Sequence, residues 1–208
     1  MNNKTYIIGI TGGSGSGKSF LCKKILDEIN QKKILVITVD SYYKDLSNIE
    51  FKEREKNNFD HPTSIEFNLL YKHLLKIKNN KSVNIPIYNY KNHTREIETK
   101  QIDSQYSLIL LEGILSLHNS KIRDILDDTV FIDIDNQTRK ERRIIRDKED
   151  RNRTIESVVN QYENTVVPMF EKYIKPMKEK SNIIIKKFEK KDEGYSKLIE
   201  EIKNIINE

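Results

Sequence analysis

The residues Gly12-Gly13-Ser14-Gly15-Ser16-Gly17-Lys18-Ser19 bring together the groups a nucleoside triphosphate needs. Glycines let the backbone wrap tightly, so that successive N–H groups point at phosphate oxygens. Lys18 can reach the β- and γ-phosphates as a point charge, and the Ser19 hydroxyl can ligate Mg²⁺. A helix starting near Lys18 would add the positive end of its dipole. Five of the seven glycines lie between Gly9 and Gly17, so the cluster is a local specification. Its place after an apolar run and before a helical one makes it a P-loop for the phosphates of ATP, with Gly12 through Ser19 as the binding residues. A P-loop does not name the acceptor of the phosphoryl group.

Other residues bear on the acceptor. Glu112 ends an apolar run, Leu108–Leu111, where a carboxylate can face the metal opposite Ser19. The plainer alternative is a capping role. Asp40 directly follows the run Ile34–Val39, and open α/β sheets bind ligands beyond the carboxyl ends of their strands. There a carboxylate can take the proton of an attacking hydroxyl, or simply start a turn; position alone leaves the two even. Six arginines fall between Arg139 and Arg153. Arg139, Arg143 and Arg146 share one helix face, while Arg151 and Arg153 are expected in a loop over 147–152. No aromatic residue lies among them, which argues against a nucleic-acid surface. A lid closing on a transferring phosphoryl group suits them better, with Arg139 and Arg142 on a solvated face.

The elements that must position these groups are legible as alternating runs. Tyr6–Ile10, Ile34–Val39, Leu108–Leu111, Val130–Ile134 and Ile183–Ile185 are continuously apolar, as in parallel strands buried on both faces. Helical patterns lie over 18–30, 65–78, about 121–126, 138–148, 155–180 and 195–206, with Pro168 and Pro176 expected to kink or break the fifth. The expectation is an α/β fold, doubly wound around a mainly parallel five-stranded sheet. The long connection from Asp40 to Ser107 exceeds a crossover. It holds two strand-like runs, Val83–Tyr88 and Glu96–Ile102, read as an inserted β-hairpin (81–103). With an arginine-bearing lid (143–155), the whole forms a single P-loop domain over 1–208.

Composition narrows the class further. The chain has 208 residues, 36% apolar and 33% charged, with a formal charge of +5 and a mean hydropathy of −0.69. No apolar run approaches a membrane span, and the first residues do not read as an export signal. Cys22 is the only cysteine, which fits a reduced, cytoplasmic protein and a core position. The positive charge is mostly Lys interleaved with Glu and Asp, a solvated face, so neither a nucleic-acid nor a membrane partner is expected.

From Tyr6 to Met177 the chain resembles the uridine–cytidine kinase family. The motifs are Gly12–Ser19, Asp40-Ser41-Tyr42-Tyr43, Asn58-Phe59-Asp60-His61-Pro62, Ile85–Tyr90 with His93-Thr94-Arg95, Glu112–Leu115, Arg142–Asp147, and Gln161-Tyr162 with Val167-Pro168-Met169. The resemblance implies transfer of the γ-phosphoryl of ATP or GTP to the 5′-hydroxyl of uridine or cytidine, with Mg²⁺ at Ser19 and Glu112. It implies Asp40 as general base, aided by Lys18, with Arg146 and Arg151 closing on the phosphates. Asp60 and Arg143 would hold the ribose. Tyr88 and His93 would address the pyrimidine edge, Phe59 and Tyr90 would pack on its ring, and Tyr43, Arg153 and Gln161 would complete the site. It also implies a homo-oligomer, commonly a tetramer. Read without the resemblance, Tyr88 and Tyr90 are equally well exposed sheet tyrosines, His61 is structural, His73 is a surface residue and His118 has no role. Asn152 stands where the family lid has glycine, and the 186–192 loop lacks the family's Pro and Gly. The rival readings are a related kinase of another sugar-like alcohol, phosphoribulokinase-like, and a nucleotide-binding regulator without kinase chemistry.

Overall fold

The computed structural model describes residues 5–29, 33–103, 106–151 and 153–207. The five apolar runs become strands β1 (Tyr6–Gly12), β2 (Ile34–Thr38), β5 (Leu108–Glu112), β6 (Asp128–Ile132) and β7 (Ile183–Ile185). They pair in the order β2-β5-β1-β6-β7, all parallel. The inserted strands β3 (Val83–Asn89) and β4 (Thr94–Ile102) form a separate antiparallel hairpin.

Strand side chains alternate between two cores. Ile7, Ile109 and Leu111 face one core with Leu70, Leu74 and Ile77 of α3 (Phe67–Lys78). Ile8, Ile10, Leu108 and Leu110 face the other, with Leu21 and Ile25 of α1 (Lys18–Glu28) and Leu198 and Ile202 of α8 (Glu193–Asn207). Each run is therefore apolar throughout because each strand is covered on both faces. Cys22 is buried in the second core. The short helices α2 (Phe51–Arg54) and α4 (Ser120–Arg123) lie in connections. Among the described residues no helix is long and apolar enough to cross a membrane.

Three local readings need correction. The long fifth helix is not broken at Pro168. After α6 (Ile155–Gln161) the chain makes a π-helical turn (Tyr162–Val166), an α-helical turn α7 (Val167–Met169) and a second π turn (Phe170–Ile174). The Val167 N–H bonds to Tyr162 O and the Lys175 N–H to Phe170 O, five residues back. That shift of register makes room for a residue without an N–H. Only at Pro176 does the helix tighten, into a 3₁₀ segment (Lys175–Lys180).

The expected loop over 147–152 is instead helix through Arg151, since α5 spans Asn136–Arg151. The Asp147 carboxylate draws in Arg143 and Arg151, four residues to either side, and so supports the last turns. Asn152 lies outside the described residues. His73 is buried and shares a hydrogen bond of 3.1 Å with the Tyr42 hydroxyl; it is a core histidine and not a surface one.

Candidate functional site

The site lies beyond the carboxyl ends of β1, β2 and β5, as the open-sheet rule requires. β1 runs into the phosphate loop, where Gly12, Gly15 and Gly17 all have positive φ (148°, 79° and 95°). Gly17 passes directly into α1, whose dipole therefore points at the loop. Lys18 is buried, and its ammonium donates to the carbonyls of Gly12 (3.0 Å) and Gly13 (3.1 Å). Ser14 and Ser16 are buried in the same turn. The Ser19 hydroxyl donates to Glu112 Oε1 at 3.2 Å. Among the described residues no group of three or more His, Cys, Asp and Glu could cage a metal. A serine and one carboxylate do suit Mg²⁺, which keeps waters and phosphate oxygens in its shell.

Asp40 sits in the 3₁₀ turn Val39–Tyr42 that directly follows β2. Burial raises its carboxyl to about 6, Glu112 adds to the rise, and Lys18 and Arg151 oppose it. Burial lowers the Lys18 ammonium, while Glu112 and Asp40 work the other way. Asp60 is buried too. Burial raises its pKa against Arg143, Lys18, Arg146 and Arg151. Lys18 acts on both aspartates and both act on it, so the phosphate loop, Asp40 and Asp60 are neighbours.

The wall opposite is aromatic. Tyr43 packs on Phe59 (5.2 Å between centroids) and Tyr88 (5.1 Å), and Phe59 stacks on His93 at 4.8 Å. Tyr90 leans on Tyr88 and lies under the Arg151 guanidinium. Tyr88 is buried, yet its hydroxyl has no hydrogen-bond partner among the described residues. His93 closes the hairpin turn with φ 55°. A cluster of ring faces with a few polar tips offers a packing surface to a planar ring.

The arginines are organised by a residue the sequence reading passed over. Asp147 is fully buried and takes Arg146 at 2.7 Å, Arg143 at 3.5 Å, Arg151 at 3.6 Å and Arg153 at 3.7 Å. Burial alone would raise its pKa; Arg146, Arg143 and Arg151 outweigh that and hold it below the usual carboxylate range. Arg143 also donates to Ser14 Oγ in the phosphate loop (2.8 Å) and to Gln161 Oε1 (3.0 Å), which Arg153 shares. The only available signal was the i±4 spacing of Asp147 from Arg143 and Arg151.

Arg139, read as solvated, is instead buried, with its guanidinium 3.8 Å from the Phe170 ring centroid. Arg142 is exposed as expected. In the 186–192 loop, Asp192 accepts the backbone N–H groups of Lys186 and Lys187, and Phe188 packs on Phe20 beside Gly17.

Arg95 follows the hairpin turn, in a sequence that does not by itself show what it binds. It pins the hairpin by donating to Tyr43 O (2.9 Å), Tyr42 O (3.2 Å) and Glu66 Oε2 (2.8 Å).

The chain matches the "Phosphoribulokinase / Uridine kinase family" over residues 7–193. It is 39% identical over 204 residues to a uridine kinase of Ligilactobacillus salivarius, covering 98% of this chain and 95% of that one. It is 43% identical over 183 residues to a uridine kinase of Staphylococcus epidermidis, covering 88% of each. Among solved structures, phosphoribulokinase from Rhodobacter spheroides superposes with a TM-score of 0.63 at 16% identity, covering 89% of this chain and 71% of that one. D-glycerate 3-kinase from Cryptococcus neoformans does so with 0.62 at 16% identity, covering 82% and 79%. These two likenesses concern the fold alone.

Arg95→Ala is expected to free the hairpin. Hydrogen–deuterium exchange should speed up over 83–102 while the parallel sheet stays protected, with a stability loss of about 1–3 kcal/mol. Unchanged exchange in the hairpin would show that other contacts hold it.

Proposed function

The chain belongs to the phosphoribulokinase/uridine kinase family, and from that membership we propose that it transfers the γ-phosphoryl group of ATP or GTP to the 5′-hydroxyl of uridine or cytidine. One observation carries the choice of acceptor. Tyr43, Phe59, Tyr88 and His93 form one aromatic cluster, and Tyr43 within it feels the charges of buried Asp40 and Asp60. A sugar-phosphate acceptor would want basic groups there; a pyrimidine ribonucleoside wants a ring slot and a carboxylate for its vicinal hydroxyls.

In this reading Lys18 leaves the loop carbonyls for the β- and γ-phosphates. Ser19 and Glu112 would hold Mg²⁺, which neutralises charge that develops on the phosphate oxygens. Asp40 accepts the 5′-hydroxyl proton as oxygen attacks phosphorus and the bond to the leaving diphosphate breaks. Asp60 and Arg143 hold the ribose, while Tyr88 and His93 address the base between Phe59 and Tyr90. Gln161 and Arg153 shut the ribose end. Arg146 and Arg151 exchange Asp147 for the transferring phosphoryl group, as lid arginines do. The 143–155 segment acts as that lid within one domain.

Purified protein with Mg-ATP should phosphorylate uridine and cytidine, and should leave adenosine and ribulose 5-phosphate unreacted. Turnover of ribulose 5-phosphate with none of uridine would replace the reading by the phosphoribulokinase-like one.

Asp40 supplies a pH test. Below about 6 it is protonated and cannot act as base, so kcat/KM should fall on the acid side with a midpoint near that value. Folding raises this pKa, so the ionised carboxylate opposes folding at neutral pH. Asp40→Asn should therefore raise Tm at pH 7.5 while abolishing turnover and leaving ATP binding intact. Near wild-type turnover in that variant would remove Asp40 as the base.

A further inference from the structure

Arg139, the fourth residue of α5, is only 3% exposed. Its Nε donates to Ile134 O (3.1 Å) and its Nη2 to Asn136 Oδ1 (3.3 Å). Nη1 is buried and has no hydrogen-bond acceptor among the described residues. That nitrogen is aimed at the phosphate loop, because a Cβ on Gly13 would lie 1.9 Å from it. The carbonyl oxygen of Arg139 would lie 2.2 Å from a Cβ on Gly15. Arg139 therefore backs two of the loop glycines from behind.

Its charge is unbalanced. Among the described residues no carboxylate forms an ion pair with it. The groups that act on it from a distance are Tyr162, Glu171, Asp135 and Asp133, and none of them is in contact with its guanidinium. Glu171 pairs with Lys175 (2.6 Å), Asp133 pairs with Lys178 (2.7 Å), and Asp135 accepts the Thr138 N–H and hydroxyl. The start of α5 is positive; the Asp135 carboxylate caps it through the Thr138 N–H but makes no ion pair with Arg139. Lys18, the first residue of α1, adds a second cation against the same loop through Gly12 O and Gly13 O. A buried cation without a direct ion pair, at the end of a helix that is itself positive, is unfavourable. Stacking on Phe170 offsets part of this, but a neutral side chain could fill the same space.

We propose that Arg139 is a positioning charge behind the phosphate loop, and that its counter-charge is the polyphosphate of the bound phosphoryl donor, felt through the thin glycine backbone without contact. The proposal rests on reading that loop as the donor site. It separates two roles by what each variant loses. A structural arginine would show its loss in the empty protein. A counter-charge shows its loss in the affinity for phosphates.

The test uses the full chain and measures dissociation constants by calorimetry for ATP and for inorganic tripolyphosphate, with uridine as the uncharged control. Arg139→Met should weaken ATP and tripolyphosphate about tenfold or more and leave uridine unchanged, with a ligand-free Tm no lower than wild type. Arg139→Lys keeps the charge but loses the planar stack on Phe170, and should retain most of the tripolyphosphate affinity. Wild-type affinity in Arg139→Met, or an equal loss in Arg139→Lys, would overturn the proposal. Should Arg139→Met fail to fold, the lysine variant decides alone: near wild-type tripolyphosphate affinity supports the charge, and a tenfold loss contradicts it. Failure of the wild-type protein to bind either phosphate ligand would instead sink the donor-site reading itself.

Discussion

Asp147 is the interaction on which the arrangement of the cleft depends. One fully buried carboxylate answers four guanidinium groups, those of Arg143, Arg146, Arg151 and Arg153. Four cations this close would repel one another and distort the end of α5. The shared acid lets the helix run through Arg151, holds Arg153 beside Gln161, and keeps Arg143 directed at Ser14 of the phosphate loop. The cluster remains short of negative charge even so. A ligand bearing several negative charges is the natural completion of such a site.

The same shortage of opposite charge shapes the rest of the cleft with the sign reversed. Asp40, Asp60 and Glu112 converge near Lys18, and one ammonium does not balance them. Burial first, and Glu112 beside it, therefore raise Asp40 to about 6, where it can carry or release a proton near neutral pH. The parallel sheet imposes this geometry. Because β1, β2 and β5 are parallel, their carboxyl ends lie along one edge and the loops that follow them meet there. The hairpin adds the aromatic wall, and Arg95 ties that wall back to the Tyr42–Tyr43 segment.

The residues legible in the sequence were those whose local pattern carries its own physics. Continuous Ile, Leu and Val runs read as doubly covered strands, and the glycine spacing before Lys18 read as a phosphate loop. Phe59, Asp60, Tyr88 and His93 were legible only through the order of motifs, since a tyrosine on a strand has no local mark of function. What stayed hidden depended on tertiary partners. Asp147 stands in a string of alternating charges, and nothing in that string says it is buried. Arg139 looked solvated because helical spacing does not reveal which face meets Gly13 and Phe170. At Pro168 a kink or a break is the expectation from proline's missing N–H, whereas the helix absorbs it by changing register through π turns. His73 was misread because its partner, Tyr42, is distant in sequence.

The central claim is that the lid arginines exchange an internal carboxylate for the phosphates of the donor. Side-chain NMR of ¹⁵N-arginine-labelled protein tests this directly, by following the Nε–H signals of Arg146 and Arg151 as a non-hydrolysable ATP analogue, Mg²⁺ and uridine are added. The account predicts that both signals move on formation of the ternary complex and that the free-protein positions are reproduced when only uridine is present. Signals that stay at their free-protein positions in the full complex would show that Asp147 never releases them, and would contradict the account.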